Sequence, residues 1–280
     1  FGSCLYILEE ILPRYGVDVT FVDGTDLAAW EAAIRPDTKV VFFESISNPT
    51  LEVIDIEAVS KLAHAVDATV VVDNVFATPV FSDAIGQGAD VVIYSATKHI
   101  DGQGRALGGV ILGTRDFIRG TVEPYMKHTG GSMSPFTAWL MVKGLETMDL
   151  RVRAQAATAQ HLAAALEADG KLENVIYPGL ESHPGHALAK KQMHGFGGML
   201  AFELDGPAPE RFLKNLNLIT QALSLGGVET IICSPATTSH QKISAAERAE
   251  LGITDDTLRL SVGIEDPDDI IADIDRALSG

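Results

Sequence analysis

A lysine and an aspartate each stand at the end of an apolar run in this sequence. Asp73 closes Thr69-Val70-Val71-Val72-Asp73, and Lys98 follows Val91-Val92-Ile93-Tyr94-Ser95 by three residues. If both runs are buried parallel strands, their exits present an amine and a carboxylate side by side. A lone strand-end lysine is ordinarily just solvated, but the joint pattern suits one chemistry. An amine can form a Schiff base with the aldehyde of pyridoxal 5'-phosphate. A carboxylate can keep the pyridine nitrogen protonated, so that the ring withdraws electrons. Ser95 and Thr97, on the same turn, carry hydroxyls suited to phosphate oxygens.

The elements that must position these residues follow from the pattern around them. Strand-like runs at 17–22, 39–44, 68–73, 89–95 and 109–112 alternate with helical spacing at 26–34 and 55–66. Each helical segment opens on an aspartate able to cap free amides. Continuous apolar strands separated by helices predict a mostly parallel sheet flanked by helices, an α/β fold. In such sheets ligands sit beyond the carboxyl ends of the strands. From 134 to about 169 the chain is rich in helix formers. It predicts a long connector into a smaller carboxy-terminal α+β domain, with strands near 198–204, 228–233 and 258–264 and helices at 208–216 and 268–278. We expect the domains to divide as 1–145 and 146–280.

A formal charge of -17 over 280 residues argues against nucleic acid and anionic membranes as partners. No uncharged apolar stretch reaches the roughly twenty residues of a membrane span, and the start does not read as a signal peptide. Two cysteines, Cys4 and Cys233, are too few for a disulfide framework, so a reducing cytoplasm is expected. The chain begins at Phe1, inside what reads as a helix start, and looks truncated at its amino-terminal side.

The segments Glu44-Ser45-Ile46-Ser47-Asn48-Pro49, Ser95-Ala96-Thr97-Lys98-His99-Ile100-Asp101-Gly102-Gln103-Gly104-Arg105, Ser224-Leu225-Gly226-Gly227 and Leu258-Arg259-Leu260-Ser261 resemble those of a known family. It is the cysteine and methionine metabolism branch of the fold type I pyridoxal-phosphate transferases, and the resemblance runs from Phe1 to Gly280. Within the branch, the Lys98 segment is most similar to the O-succinylhomoserine sulfhydrylases, because many relatives read Gly-His-Ser-Asp where this chain reads Gly102-Gln103-Gly104-Arg105.

The resemblance implies Lys98 as the Schiff-base lysine, Asp73 as the partner of the pyridine nitrogen, and Ser95 and Thr97 as phosphate contacts. It implies Asn48 beside both the cofactor hydroxyl and the substrate carboxylate, Arg259 as the grip on the α-carboxylate, and Ser224 with its backbone near that carboxylate. A planar guanidinium suits a carboxylate on chemical grounds as well. Taken alone, Arg259 would read as a solvent-facing strand residue and Asn48 as a turn residue. Phe1 stands where relatives place a tyrosine over the ring; it preserves stacking without a hydroxyl. The amino-terminal portion of relatives carries a phosphate loop and a tyrosine and an arginine that reach the neighbouring subunit. The resemblance therefore implies a homotetramer of dimers with shared sites, and weak cofactor retention by this chain alone.

The implied activity is γ-replacement on O-succinyl-L-homoserine by sulfide, giving L-homocysteine and succinate in methionine biosynthesis. Succinate carries a second carboxylate, and Arg105 either meets it or pairs with Asp101. Competing readings are a γ-lyase acting on methionine or cystathionine, an O-acetylhomoserine sulfhydrylase or cystathionine γ-synthase, and a truncated non-catalytic assembly partner. Gly102 to Gly108 superficially resembles a dinucleotide loop, but 109–113 reads as a strand where a helix is required. His183, His186 and His194 lack the cysteine or carboxylate cluster that a metal site needs, so no metal is expected.

Overall fold

The computed structural model describes residues 1–205, 208–241 and 244–279, and shows two sheets sharing one long helix. The first sheet comprises β1 (Val40–Glu44), β2 (Thr69–Asp73), β3 (Val91–Ser95) and β4 (Gly109–Gly113), in that spatial order. β1, β2 and β3 are parallel, and β4 closes one edge antiparallel to β3. Val70, Val72 and Val92 are almost wholly buried on one face, whereas Thr69, Val71 and Asp73 on the other are half-buried and β4 is largely exposed. The continuous apolar runs therefore report a sheet fully covered on one face and partly on the other.

The two capping aspartates act as their positions suggest. Asp26 accepts from Ala28 N at 2.8 Å and starts Leu27–Ala33. Asp55 accepts from Ala58 N at 2.9 Å and starts Ile56–His64, which lays Ile56, Val59 and Ala63 into the core. Trp30 packs its edge on Phe43 with ring centroids 5.9 Å apart and donates its indole N–H to Gly24 O.

Residues 17–22 do not form the expected strand. Val17 and Phe21 are exposed, and the segment runs as irregular chain between the helical stretch that ends at Tyr15 and helix Leu27–Ala33. A β-branched and aromatic composition makes a strand only where a ladder partner and a face to cover exist.

The second sheet contains β5 (Leu172–Ile176), β6 (Met199–Leu204), β7 (Thr220–Gln221), β8 (Ile231–Cys233) and β9 (Thr257–Ser261), ordered β5-β6-β9-β8-β7. All pairings are antiparallel except β7 with β8. The central strand β9 is buried at every position, and β6 at all but one. β5 and β7 escaped sequence reading because both are edge strands, β5 interrupted by Glu173 and Asn174 and β7 only two polar residues long, and β8 covers only the end of the expected 228–233 run.

Helix Pro135–Asp169 is unbroken for 35 residues. Ser134 caps it by accepting from Thr137 N at 3.1 Å. Met141, Met148 and Val152 pack in the core of the first sheet, whereas Leu162, Ala163 and Leu166 pack in that of the second. The division expected at 145/146 thus falls inside a helix that serves both sheets. Helices Pro209–Asn215 and Pro267–Ser279 add Phe212, Ile270 and Ile274 to the second core. Among the described residues, no helix is long and apolar enough to cross a membrane.

Candidate active site

The parallel strands end together. Glu44 and Asp73 are register partners, and β3 ends at Ser95, whose following turn, Ala96–Ile100, carries Lys98. This is the carboxyl edge where an open sheet leaves room for a ligand. Arg259 arrives from the other sheet through β9, and Ser224 from the chain ahead of β8.

Lys98 is half-buried and donates from Nζ to Ser224 Oγ at 3.1 Å. Burial first, and then the charge of Arg259, push its amine below the ordinary lysine value. By contrast, Lys61 and Lys171 are raised by carboxylates that hold them at the surface. A depressed lysine is one that can reach the neutral, proton-accepting form.

Asp73 is half-buried, and Val75 N donates to its Oδ1 at 3.1 Å. Its other oxygen has no hydrogen-bond partner among the described residues. Burial, followed by the neighbouring charge of Glu44, raises its pKa to about 6. A carboxylate with one free oxygen and a poorly compensated charge fits a protonated ring nitrogen, so the residues present suit pyridoxal phosphate.

Arg259 is 97 % withdrawn from solvent, being 3 % exposed. Its Nη1 donates to Asn48 Oδ1 at 2.8 Å, and its Nη2 donates to Leu223 O at 3.0 Å and Ser224 O at 3.1 Å. Among the described residues, Nε is buried without a hydrogen-bond partner. Carbonyl oxygens therefore aim a guanidinium that no carboxylate among the described residues pairs with, which suits it to receive an anion. The Asn48–Pro49 peptide is cis.

The remaining candidates fall in different places. Ser95 ends β3 beside the Lys98 turn. Thr97 spends its hydroxyl on the backbone of Gly108, accepting from N at 3.1 Å and donating to O at 3.3 Å. Phe1 lies at the same strand ends, with its nitrogen 2.9 Å from Glu44 Oε1 and its ring half exposed.

Arg105 requires a correction. Its Nε meets Asp101 Oδ1 at 3.0 Å, its Nη2 meets Asp101 O at 2.9 Å, and its backbone N meets Asp101 Oδ2 at 2.7 Å. A guanidinium held this way closes the loop behind Lys98, because the fully buried Asp101 needs a compensating cation more than a solvated leaving group does.

Several residues that hold the site escaped sequence reading. Asn74, wholly buried, accepts from Ser45 Oγ at 2.8 Å and donates to the Tyr94 hydroxyl at 2.9 Å, tying the ends of β1, β2 and β3. Arg151, on the long helix, donates to His99 O at 3.0 Å and Gly144 O at 2.8 Å. A Cβ at Gly144 would lie 2.0 Å from Ile100 O, so the helix can approach the Lys98 turn only with glycine there. His99 is buried, and burial with the charges of Arg151 and Lys98 lowers its pKa to about 4, so the ring is neutral. A strand-end asparagine or a mid-helix arginine carries no pattern that distinguishes it in sequence.

The other sequence signals resolve as packing. Gly102 to Gly108 leads into β4 and not into a helix. His183 accepts from Gly185 N at 3.0 Å, and His186 stacks on Phe196 at 5.4 Å. Among the described residues, no group of three or more His, Cys, Asp or Glu is placed to hold a metal.

Fold and site together define a pyridoxal-phosphate enzyme of fold type I, and comparison with known proteins agrees. The family model described as Cys/Met metabolism PLP-dependent enzyme matches residues 1–279. The chain is 50 % identical over 285 aligned positions to an O-succinylhomoserine sulfhydrylase of Mycobacterium tuberculosis, covering all of this chain and 70 % of that protein. It is 44 % identical to the Pseudomonas aeruginosa protein of the same name, again covering 100 % of this chain and 70 % of the relative. The solved cystathionine γ-lyase of Lactobacillus plantarum, complexed with L-serine, superposes with a TM-score of 0.96 at 35 % identity, covering 99 % of this chain and 73 % of that one. The chain belongs to the Cys/Met metabolism family of pyridoxal-phosphate-dependent enzymes, and pyridoxal phosphate is its cofactor.

Proposed function

We propose that the chain catalyses γ-replacement on O-succinyl-L-homoserine by sulfide, releasing succinate and L-homocysteine. The observation that carries the reading is the meeting of Lys98, Asp73 and Arg259 at one sheet edge, on a chain half identical to proteins named O-succinylhomoserine sulfhydrylase. When bound, pyridoxal phosphate supplies an aldehyde that condenses with amines and a ring that accepts electrons.

The chain's own residues supply the rest. The free oxygen of Asp73 would hold the ring nitrogen protonated. Lys98 would anchor the cofactor and then move the proton at the substrate α-carbon, its amine pushed below the ordinary lysine value by burial and then by Arg259. Ser224 Oγ holds Lys98 Nζ on the side from which Arg259 presents the α-carboxylate site. Ser95 would contact the phosphate, with Thr97 shaping the same turn through its hydrogen bonds to Gly108. Asn48 orients Arg259 and would adjoin the ring hydroxyl, and Phe1 would stack on the ring. With Arg105 committed to Asp101, succinyl recognition falls to other groups. We place the enzyme in the cytoplasm, where two unpaired cysteines are at home, and as a homotetramer whose dimers share sites.

A γ-lyase is the second reading, favoured by the close superposition on the Lactobacillus plantarum enzyme. The two part over whether sulfide captures the unsaturated intermediate before it breaks down. Enzyme given sulfide with the succinyl or the acetyl ester should form homocysteine mainly from the succinyl ester. Dominant 2-oxobutyrate without sulfide consumption establishes the lyase.

Arg259→Lys should raise KM about 10–100-fold, because one ammonium cannot offer two parallel hydrogen bonds to a carboxylate. With kcat less affected, the KM-to-kcat split in steady-state kinetics checks it.

A further inference from the structure

We propose that Glu44 is a positioning residue: its carboxylate holds the Asn48 backbone, and through Asn48 it sets the guanidinium of Arg259 where a substrate α-carboxylate binds. The proposal rests on the reading of Arg259 given above. Glu44 is the last residue of β1, is 18 % exposed, and stands in register with Asp73. Its Oε2 accepts from Asn48 N at 2.9 Å. Asn48 Oδ1 then accepts from Arg259 Nη1 at 2.8 Å. Two hydrogen bonds thus connect the first sheet to the central strand of the second.

Asn48 needs such a partner because the chain leaves the ladder at Glu44. Neighbouring amides in this turn find backbone carbonyls, Ser47 N with Glu52 O at 2.9 Å and Leu51 N with Ser47 O at 3.0 Å. Asn48 N meets the Glu44 side chain instead, and Pro49 has no N–H to offer. An amide donating to a carboxylate is held about twice as strongly as one donating to a neutral oxygen. The arrangement also has a cost, because a second carboxylate beside Asp73 raises the energy of the Asp73 charge. Both the cofactor-facing acid and the substrate-facing arginine therefore depend on one side chain that meets neither ligand.

Two variants separate the acceptor from the charge. Glu44→Gln keeps an oxygen at the same reach without the charge, whereas Glu44→Ala removes both. L-Norleucine, an α-amino acid without a leaving group, and pentylamine, the same chain without the carboxylate, are titrated against the cofactor-loaded protein by visible absorbance. Glu44→Ala should weaken L-norleucine about tenfold, while pentylamine stays within about twofold and Glu44→Gln within about threefold of the parent for both. Asn48→Ala should reproduce the same split, and adding Glu44→Ala to it should add little.

Unchanged L-norleucine affinity in Glu44→Ala, equal weakening of both probes, or a glutamine variant as impaired as the alanine one would each overturn the proposal. Neither probe needs sulfide or a leaving group, so the test stands even if the sulfhydrylase reading fails. If Arg259→Lys leaves L-norleucine binding intact, it is the assignment of Arg259 that fails.

Discussion

Lys98→Ala should lose at least about 10⁴-fold in turnover, since one substitution removes both the covalent anchor of the cofactor and the base that moves the α-proton. The surroundings of the amine give the reason. It is half-buried, meets Ser224 Oγ at 3.1 Å, and is pushed below its ordinary pKa by burial and by Arg259. Lys61 and Lys171 lie exposed against carboxylates that raise their pKa and keep the amines protonated. Borohydride reduction of the cofactor-loaded parent, followed by peptide mapping, should therefore label Lys98 alone. In Lys98→Ala, a small added amine should restore part of the proton transfer, leaving the rest of the site able to bind. A label on another lysine, or full activity in the variant, would remove the assignment.

Asp73→Asn should have two effects of opposite sign. With cofactor, activity should fall on the order of 10²–10⁴-fold, because a neutral amide no longer favours the protonated ring. Without cofactor, the variant should be the more stable protein at neutral pH. The folded state raises Asp73 from 3.8 to about 6, first by burial and then by the charge of Glu44. A carboxyl raised in this way favours folding fully below its unfolded pKa, and that contribution is lost as pH rises through the folded value. The parent therefore carries an ionised, poorly compensated acid above about pH 6 that asparagine avoids, worth up to about 3 kcal/mol. Urea unfolding of the two empty proteins should agree near pH 4 and diverge between pH 4 and 6, with asparagine ahead at pH 7. Curves that run parallel across this range would show that Asp73 titrates normally, and the ring-nitrogen role would lose its electrostatic basis.

Lys98 and Asp73 were legible because one follows and the other closes an apolar run, and β2 and β3 form where those runs stand, although Val71 and Ile93 are only half-buried. The capping aspartates at 26 and 55 and the helix from 135 were equally plain, since capping and helix propensity act over a few neighbouring residues. The run at 17–22 misled for a reason of the same kind, because a strand needs a partner that local composition does not contain. Arg105 shows the limit at the level of charge. Its sequence position allows either a substrate carboxylate or Asp101, and only the folded loop, with Asp101 fully buried, commits it to Asp101.

By itself, the sequence determined the α/β class, the chemistry that an amine and a carboxylate at neighbouring strand ends can perform, and membership of a pyridoxal-phosphate family. All three follow from local pattern or from residues adjacent in the chain. The tertiary structure alone decided which distant groups complete the site. Arg259 reaches Asn48 across 211 positions, Lys98 reaches Ser224 across 126, and Arg151 braces the Lys98 turn across 52. Hydrogen bonds and charge interactions act over a few ångströms of space whatever the separation along the chain, so their partners become known only when two sheets and the helix they share are packed together.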